Sequence, residues 1–342
     1  VKILVRETNW LGDVLMSLPF LSALRRRYPE AHIAVLVRPR TAAILQHHPG
    51  VDKLLMCEEE GRHRGMGLFN LAGDLRTLRY DVAYILPNSF SSALMVWLAR
   101  VPERIGYATD GRSLLLSRAL KKTPALRSMH ETLLYLNLLG TGPEEAGCAE
   151  PRLQLLTEEE DAARRRLASL GLKEDRPVVG IVPGAVYGTA KRWPAERFAA
   201  VADRLSRACE AQVVLFGAGG EERVARQVES AAGSKVINLV GQTRLRELAA
   251  LMKCCDGVVS NDTGAMHVAA AVGTPVVAVF GPTNPVTTAP VGGRHTLLRH
   301  PVDCSPCLLR HCPINHRCMR AISVDEVFEA AQQTIERARE AG

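Results

Sequence analysis

Short apolar runs rich in Val, Ile and Leu alternate along the chain with longer stretches in which apolar residues return every three or four positions. The first pattern is that of strands buried on both faces, the second that of amphipathic helices. In the first half it predicts strands over 2–5, 32–37, 53–56 and 82–86, and helices over 13–28, 41–47, 68–79 and 91–100. In the second half it predicts strands over 178–182, 213–216, 235–239, 257–260 and 275–280, with helices over 194–209, 221–232, 244–253 and 265–272. Repeated βα units of this kind build parallel sheets covered by helices. Between the two series, residues 144–176 are acidic, then basic, and close on the turn signal Asp175-Arg176-Pro177. The expected organisation is therefore a first domain over 1–155, a linker over 156–175, a second domain over 176–322 and a terminal helix over 323–342 that fits either domain. The expected fold class is α/β, with two doubly wound, Rossmann-like domains facing each other across a cleft.

A chain of 342 residues suits two domains better than one small core. No apolar run approaches the roughly 20 residues needed to span a bilayer. The 43 Lys and Arg against 36 Asp and Glu leave a charge of +7, which calls for an acidic partner: nucleic acid, an anionic membrane surface or a phosphorylated substrate. Nucleic acid is disfavoured, because aromatic residues make up only 5% and no stacking groove or recognition-helix motif is visible. The short apolar start, followed at once by Arg6 and Glu7, is unlike a signal peptide, so a cytoplasmic location is expected.

In open α/β sheets ligands bind beyond the carboxyl ends of the strands, so the loops there are where chemistry is sought. The first, running from Arg6 to Asp13, sets Gly12 and Asp13 at a helix start; Asp13 is either a helix cap or a functional carboxylate. The strand ending at Leu86 delivers Asn88, Ser89 and Ser92 to the same edge. In the second half, the loop from Pro183 to Pro194 offers Thr189, Lys191 and Arg192 before a Trp-Pro helix start, which suits a phosphate, although a solvated basic turn would look the same. It is not a Walker motif. The glycines at 217, 219 and 220 allow a close approach, and Glu221 either meets a ribose or base or complements the helix dipole. Asp262, Thr263 and Gly264 open a helix whose first amides suit an anion, and His267, one turn on, either faces that ligand or is packed.

Several of these stretches together resemble a known family. Asn9-Trp10-Leu11-Gly12-Asp13 with Leu18-Pro19, Pro87-Asn88-Ser89-Phe90, Ala190-Lys191-Arg192-Trp193-Pro194, and Asn261-Asp262-Thr263-Gly264 with Met266-His267 are similar to motifs of the ADP-heptose:lipopolysaccharide heptosyltransferases, glycosyltransferase family 9, most of all its type II members. The similarity runs from residue 1 to about 285. It implies a GT-B fold, ADP-heptose bound by the C-terminal domain, and an inner-core lipid A acceptor bound by the N-terminal domain at the cytoplasmic face of the inner membrane. It makes Asp13 the catalytic base, Lys191 a ligand of the donor diphosphate, Glu221 an adenosine contact, and Asp262, Thr263 and Gly264 the diphosphate and heptose turn. Inversion at the anomeric carbon is then expected without a catalytic metal, since no Asp-x-Asp stands at a strand end. A type I or III heptosyltransferase, a related epimerase, or a sugar-nucleotide-binding protein without turnover are the alternatives. Arg25, Arg26, Arg27, Arg62, Arg64, Lys121 and Lys122 are further candidate contacts for an anionic acceptor.

Beyond that similarity, Cys304, Cys307, Cys312 and Cys318 crowd into fifteen residues among His300, His311 and His316. Cys-x2-Cys is the tight half of a structural zinc site, and four thiolates close a tetrahedron. The looser second half leaves local disulfides or free thiols as the alternative.

Overall fold

The computed structural model describes residues 1–57, 67–140, 150–292 and 294–341. They form two compact units, Val1–Pro151 and Arg152–Gly342. The first holds strands β1 (Lys2–Arg6), β2 (His32–Val37), β3 (Lys53–Met56), β4 (Val82–Ile85), β5 (Glu103–Tyr107) and β6 (Arg118–Leu120). The second holds β7 (Val178–Val182), β8 (Gln212–Leu215), β9 (Val236–Asn238), β10 (Gly257–Asn261), β11 (Val276–Val279) and β12 (Thr296–Leu298).

The sheets run β3-β2-β1-β4-β5-β6 and β12-β11-β10-β7-β8-β9, with every described pairing parallel. Each is therefore the doubly wound Rossmann order, which reverses direction between β1 and β4 in one unit and between β7 and β10 in the other. The central strands are apolar on both faces, as strands sandwiched between helices must be: β7 and β10 are buried along their whole length. The four edge strands have only three or four residues each.

Two expectations change. Residues 157–169 are a helix of the second unit and not plain linker. The Leu156 amide donates to Glu159 Oε2 at 2.9 Å, and Glu159 also pairs with Arg246 at 2.5 Å, tying this helix to Leu245–Lys253. The terminal helix Val324–Ala341 belongs to the second unit, where Val327, Phe328 and Ile335 join the core of β7, β8, β10 and β11. Among the described residues no helix is long and apolar enough to cross a membrane.

Candidate functional site

In the first unit, the loop after β1 turns straight into the helix Leu11–Arg27. Trp10 holds its N-cap position without a capping side chain, so Asp13 is not the cap residue; it is the third residue of the first turn and half-buried. Asn9 fixes the entry to this helix: its Oδ1 accepts from Arg6 and from Arg38, both at 2.9 Å. Behind it lies Glu7, fully buried, with Oε1 accepting from the Thr8 amide at 2.8 Å and from its hydroxyl at 3.1 Å. Burial pushes this carboxyl up to about 7. Ser17 Oγ lies 3.0 Å from Glu7 Oε2 and 2.8 Å from the Val14 carbonyl. One hydroxyl proton cannot serve both acceptors, whereas a protonated Glu7 donates to Ser17 and frees the serine proton for Val14.

The loop after β4, across the switch point from Asp13, carries Asn88 and Ser89, both exposed. Ser89 caps the helix Phe90–Leu98, accepting from the Ser92 amide at 3.4 Å. Ser92 itself is buried, its hydroxyl donating to the Ser89 carbonyl at 2.7 Å, so it shapes this turn from beneath. Arg112 braces the same turn. It is fully buried, reaches the carbonyls of Pro87, Ser89 and Tyr107, and leaves one guanidinium nitrogen unpartnered. Burial pulls it down to about 10. Thr109 donates to the Asn88 carbonyl at 3.0 Å and, with Lys121, Lys122 and Arg127, lines a cavity of about 330 Å³. Of the other basic candidates, Arg25 pairs with Asp52 at 2.5 Å and Arg27 donates to the Leu139 carbonyl at 2.7 Å. Arg62 and Arg64 lie outside the described residues.

In the second unit, Asn261 stitches the two central loops together. It is fully buried, accepts from the Trp193 amide at 3.0 Å, and donates to the Pro183 carbonyl at 2.9 Å. Trp193 is buried edge-on against Phe198 and donates through its indole to the Ile322 carbonyl at 3.1 Å. Thus anchored, the loop presents Lys191 at the switch point, its Nζ 2.6 Å from Asp262 Oδ2. Thr283 donates to the same oxygen at 2.6 Å, and the Lys191 ammonium stands 5.0 Å from the Tyr187 ring centroid. Arg192 donates to the Ala185 carbonyl at 3.3 Å, with its Nε buried and unpartnered. Thr263 is the N-cap of Gly264–Ala271, where the first amides have no acceptor inside the helix, and His267 is buried one turn on.

Glu221 is buried beyond β8, at the N-cap of the helix Glu222–Ala231, with Oε2 accepting from the Ala218 amide at 2.8 Å and Oε1 without a partner; burial raises its carboxyl. A Cβ on Gly184 would stand 2.1 Å from Oε1, and one on Gly217 3.0 Å from Oε2. These glycines make room for the Glu221 carboxylate, a tighter reason than approach of a ligand.

The cysteine-rich segment clasps the Lys191 loop. Tyr187 donates to the Leu308 carbonyl at 2.8 Å, the Ala190 amide to the Arg310 carbonyl at 3.0 Å, and Thr189 Oγ1 lies 3.1 Å from His311 Nδ1. Cys304 and Cys307 are exposed, Cys312 half-buried and Cys318 buried, all as free thiols. Burial, with the other three thiols nearby, pushes Cys318 up. Among the described residues no three His, Cys, Asp or Glu side chains converge closely enough to hold a metal as they stand.

The pattern for glycosyltransferase family 9 (heptosyltransferase) matches residues 68–317, well over half of the chain. The chain belongs to this family. It is 33% identical to lipopolysaccharide heptosyltransferase 2 of Salmonella typhimurium over 87% of its own length and 88% of that protein. The solved ADP-heptose lipopolysaccharide heptosyltransferase II of E. coli superposes with a TM-score of 0.81 at 30% identity, covering 99% of this chain and 100% of that one. A family 9 glycosyltransferase from Veillonella parvula gives 0.86 at 25% identity, covering 98% and 97%. In this family 9 member, the residues singled out by the sequence fall on the two switch points: Asp13 and Asn88 on one sheet, Lys191 and Asp262 on the other. Sequence reasoning missed Thr283, Arg112 and Glu7. A threonine and an arginine in polar loops carry no periodic signal, and a glutamate just past a strand reads as solvated.

Proposed function

We propose that this protein is an inverting heptosyltransferase of type II, which moves L-glycero-D-manno-heptose from ADP-heptose onto the first inner-core heptose of Kdo-lipid A. The observation that carries this reading is the Lys191–Asp262–Thr283 cluster beside a helix N-terminus at the β7/β10 switch point, in a chain one-third identical to a lipopolysaccharide heptosyltransferase 2. A lysine so placed, with the amides of Gly264 and Ala265, supplies the charge that a departing diphosphate needs. Thr189 and Arg192 add a hydroxyl and a second cation, and Glu221 and His267 complete the donor-binding set.

The acceptor belongs to the first unit. Asp13 removes the proton of the attacking heptose hydroxyl as the anomeric bond forms, and ADP leaves from the opposite face. Gly12, Asn88 and Ser89 border the acceptor, with Ser92 fixing their turn. The basic cavity of Lys121, Lys122 and Arg127 suits the phosphates or Kdo carboxylates of the acceptor, and supports the reading that the protein works peripherally at the cytoplasmic face of the inner membrane. Catalysis proceeds without a divalent metal.

The test is turnover of ADP-heptose with a heptosylated Kdo-lipid A acceptor and determination of the product linkage. Formation of the α-linked second heptose is expected; a different linkage assigns the protein to another type, and ADP-heptose binding without turnover ends the enzyme reading. Recovery by Mg²⁺ of activity lost to EDTA would overturn metal independence.

A further inference from the structure

The segment 300–318 supplies none of the residues assigned above to the transfer chemistry, yet it is built around four thiols and fastened to the loop that carries Lys191. Its two halves meet on Gly281 and Pro282. The amides of Cys307 and Leu308 both donate to the Pro282 carbonyl, at 3.0 and 2.9 Å, and Ser305 Oγ donates to the Gly281 carbonyl at 2.6 Å. From the other side Cys318 approaches so closely that a Cβ on Gly281 would stand 3.0 Å from its sulfur. Between them, the His316 amide donates to Cys312 Sγ at 3.3 Å, a bond that favours a sulfur carrying negative charge. Left-handed turns at Leu308 (φ 58°) and His316 (φ 55°) fold the chain back between the cysteines.

Two of the three nearby histidines are otherwise engaged. His300 bonds Glu326 at 2.6 Å and His311 bonds Thr189. Four soft sulfur donors in one short segment are then the set to test. Four thiolates around a divalent cation carry a net charge of −2, and Arg299, Arg310, Arg317 and Arg320 in the same stretch offset it. Soft thiolate ligands select zinc or iron among available cations.

We propose that Cys304, Cys307, Cys312 and Cys318 bind one thiophilic divalent cation, and that this knot holds the strap against the donor-phosphate loop. Binding converts thiols to thiolates and releases up to four protons to solvent, with no change of oxidation state. The strap then transmits its order through three contacts: Leu308 to Tyr187, Arg310 to Ala190 and His311 to Thr189. Gly188 is part of the same fit, since a Cβ there would stand 2.2 Å from the Arg310 carbonyl oxygen. The coupling to donor binding rests on the function proposed above; the metal site does not.

The experiment is metal analysis of the full chain purified under reducing conditions, with thiol titration, followed by Co²⁺ exchange and ADP titration. One zinc or iron per chain, and a thiolate-to-cobalt charge-transfer spectrum with tetrahedral d–d bands after exchange, are expected. Cys307→Ser is expected to lose the metal, and stripped protein to bind ADP more weakly by on the order of 10-fold, as when one or two supporting hydrogen bonds loosen. Absence of stoichiometric metal with all nine cysteines titrating as free thiols, or a disulfide in the reduced preparation, overturns the site. Because Cys307→Ser can fail to fold, the cobalt spectrum of the unmutated chain decides the ligand set on its own. Unchanged ADP affinity after stripping overturns the coupling alone. Metal-replete protein that does not bind ADP overturns the proposed function and leaves the metal site standing.

Discussion

At the scale of single residues, the chemistry rests on how each charge is held. Asp13 stands in the first turn of its helix, with the N-cap position itself held by Trp10. With Asp13 as the proposed base, Asp13→Ala is expected to lower kcat by roughly 10² or more, with ADP affinity little changed by calorimetry. Lys191 and Asp262 form a pair that is nearly out of solvent, with side chains 14% and 6% exposed. Lys191→Met leaves the aspartate buried with only Thr283, and a loss of about 3 kcal/mol is expected in denaturant unfolding. Lys191→Met with Asp262→Asn is expected to regain most of that stability while ADP binding stays weak, which separates the stability of the pair from its part in donor binding. Glu7 makes stability depend on pH. Its carboxyl is raised from 4.5 to about 7 in the folded chain, so the native state holds the proton more tightly than the unfolded one. Stability is then lost as pH rises through this window, by roughly 3 kcal/mol at most, at 1.4 kcal/mol per tenfold. Glu7→Gln keeps the acceptor for Thr8 and a donor for Ser17, and is expected to flatten the midpoint-against-pH curve between 5 and 7.5.

At the scale of elements, loops are fixed by what is wedged beneath them. Gly184→Ala would drive a methyl group into the Glu221 carboxylate, whose other side already meets Gly217. A fall in thermal midpoint is expected, and Gly184→Ala with Glu221→Ala should recover part of it; equal midpoints for the two would show that the loop yields freely. The same scale shows what the sequence makes legible. Strands β2, β3 and β7 fall on their expected residues because each is an apolar run between turn signals. Strand β5 escaped notice because Glu103-Arg104-Ile105-Gly106-Tyr107 mixes charges with a glycine, and β6 and β12 because three residues make no period. The helix Thr157–Ser169 was hidden by its charge: only Ala163 and Leu167 are buried, and Glu159 and Glu160 are held instead by Arg246 and Lys253. Motif order located the strand-end loops, but not the supports beneath them, because Arg112 and Thr283 act through backbone carbonyls and a single carboxylate oxygen brought together only by folding.

At the scale of the whole molecule, a duplicated strand order explains why two dissimilar halves each offer a ligand edge. Under the proposed function the excess of positive charge has an anion to meet in each, a nucleotide diphosphate in one and a phosphorylated, carboxylated acceptor in the other. Acceptor affinity should therefore fall steeply with added salt, whereas ADP affinity, set by a largely buried lysine and helix amides, should fall less. Parallel salt titrations of the two ligands check this, and equal slopes would remove the exposed basic cavity from acceptor binding.

The brevity of the outermost strands has its own effect. With β6, β9 and β12 three residues long and β3 four, a neighbouring molecule finds too few exposed backbone groups in register to add a strand of its own. Apolar β-rich segments such as Val276–Val279 stay shielded inside the sheet. In a crowded cell, or at the concentrations used for crystallisation, the native protein is thereby guarded against the edge-to-edge pairing that seeds fibres.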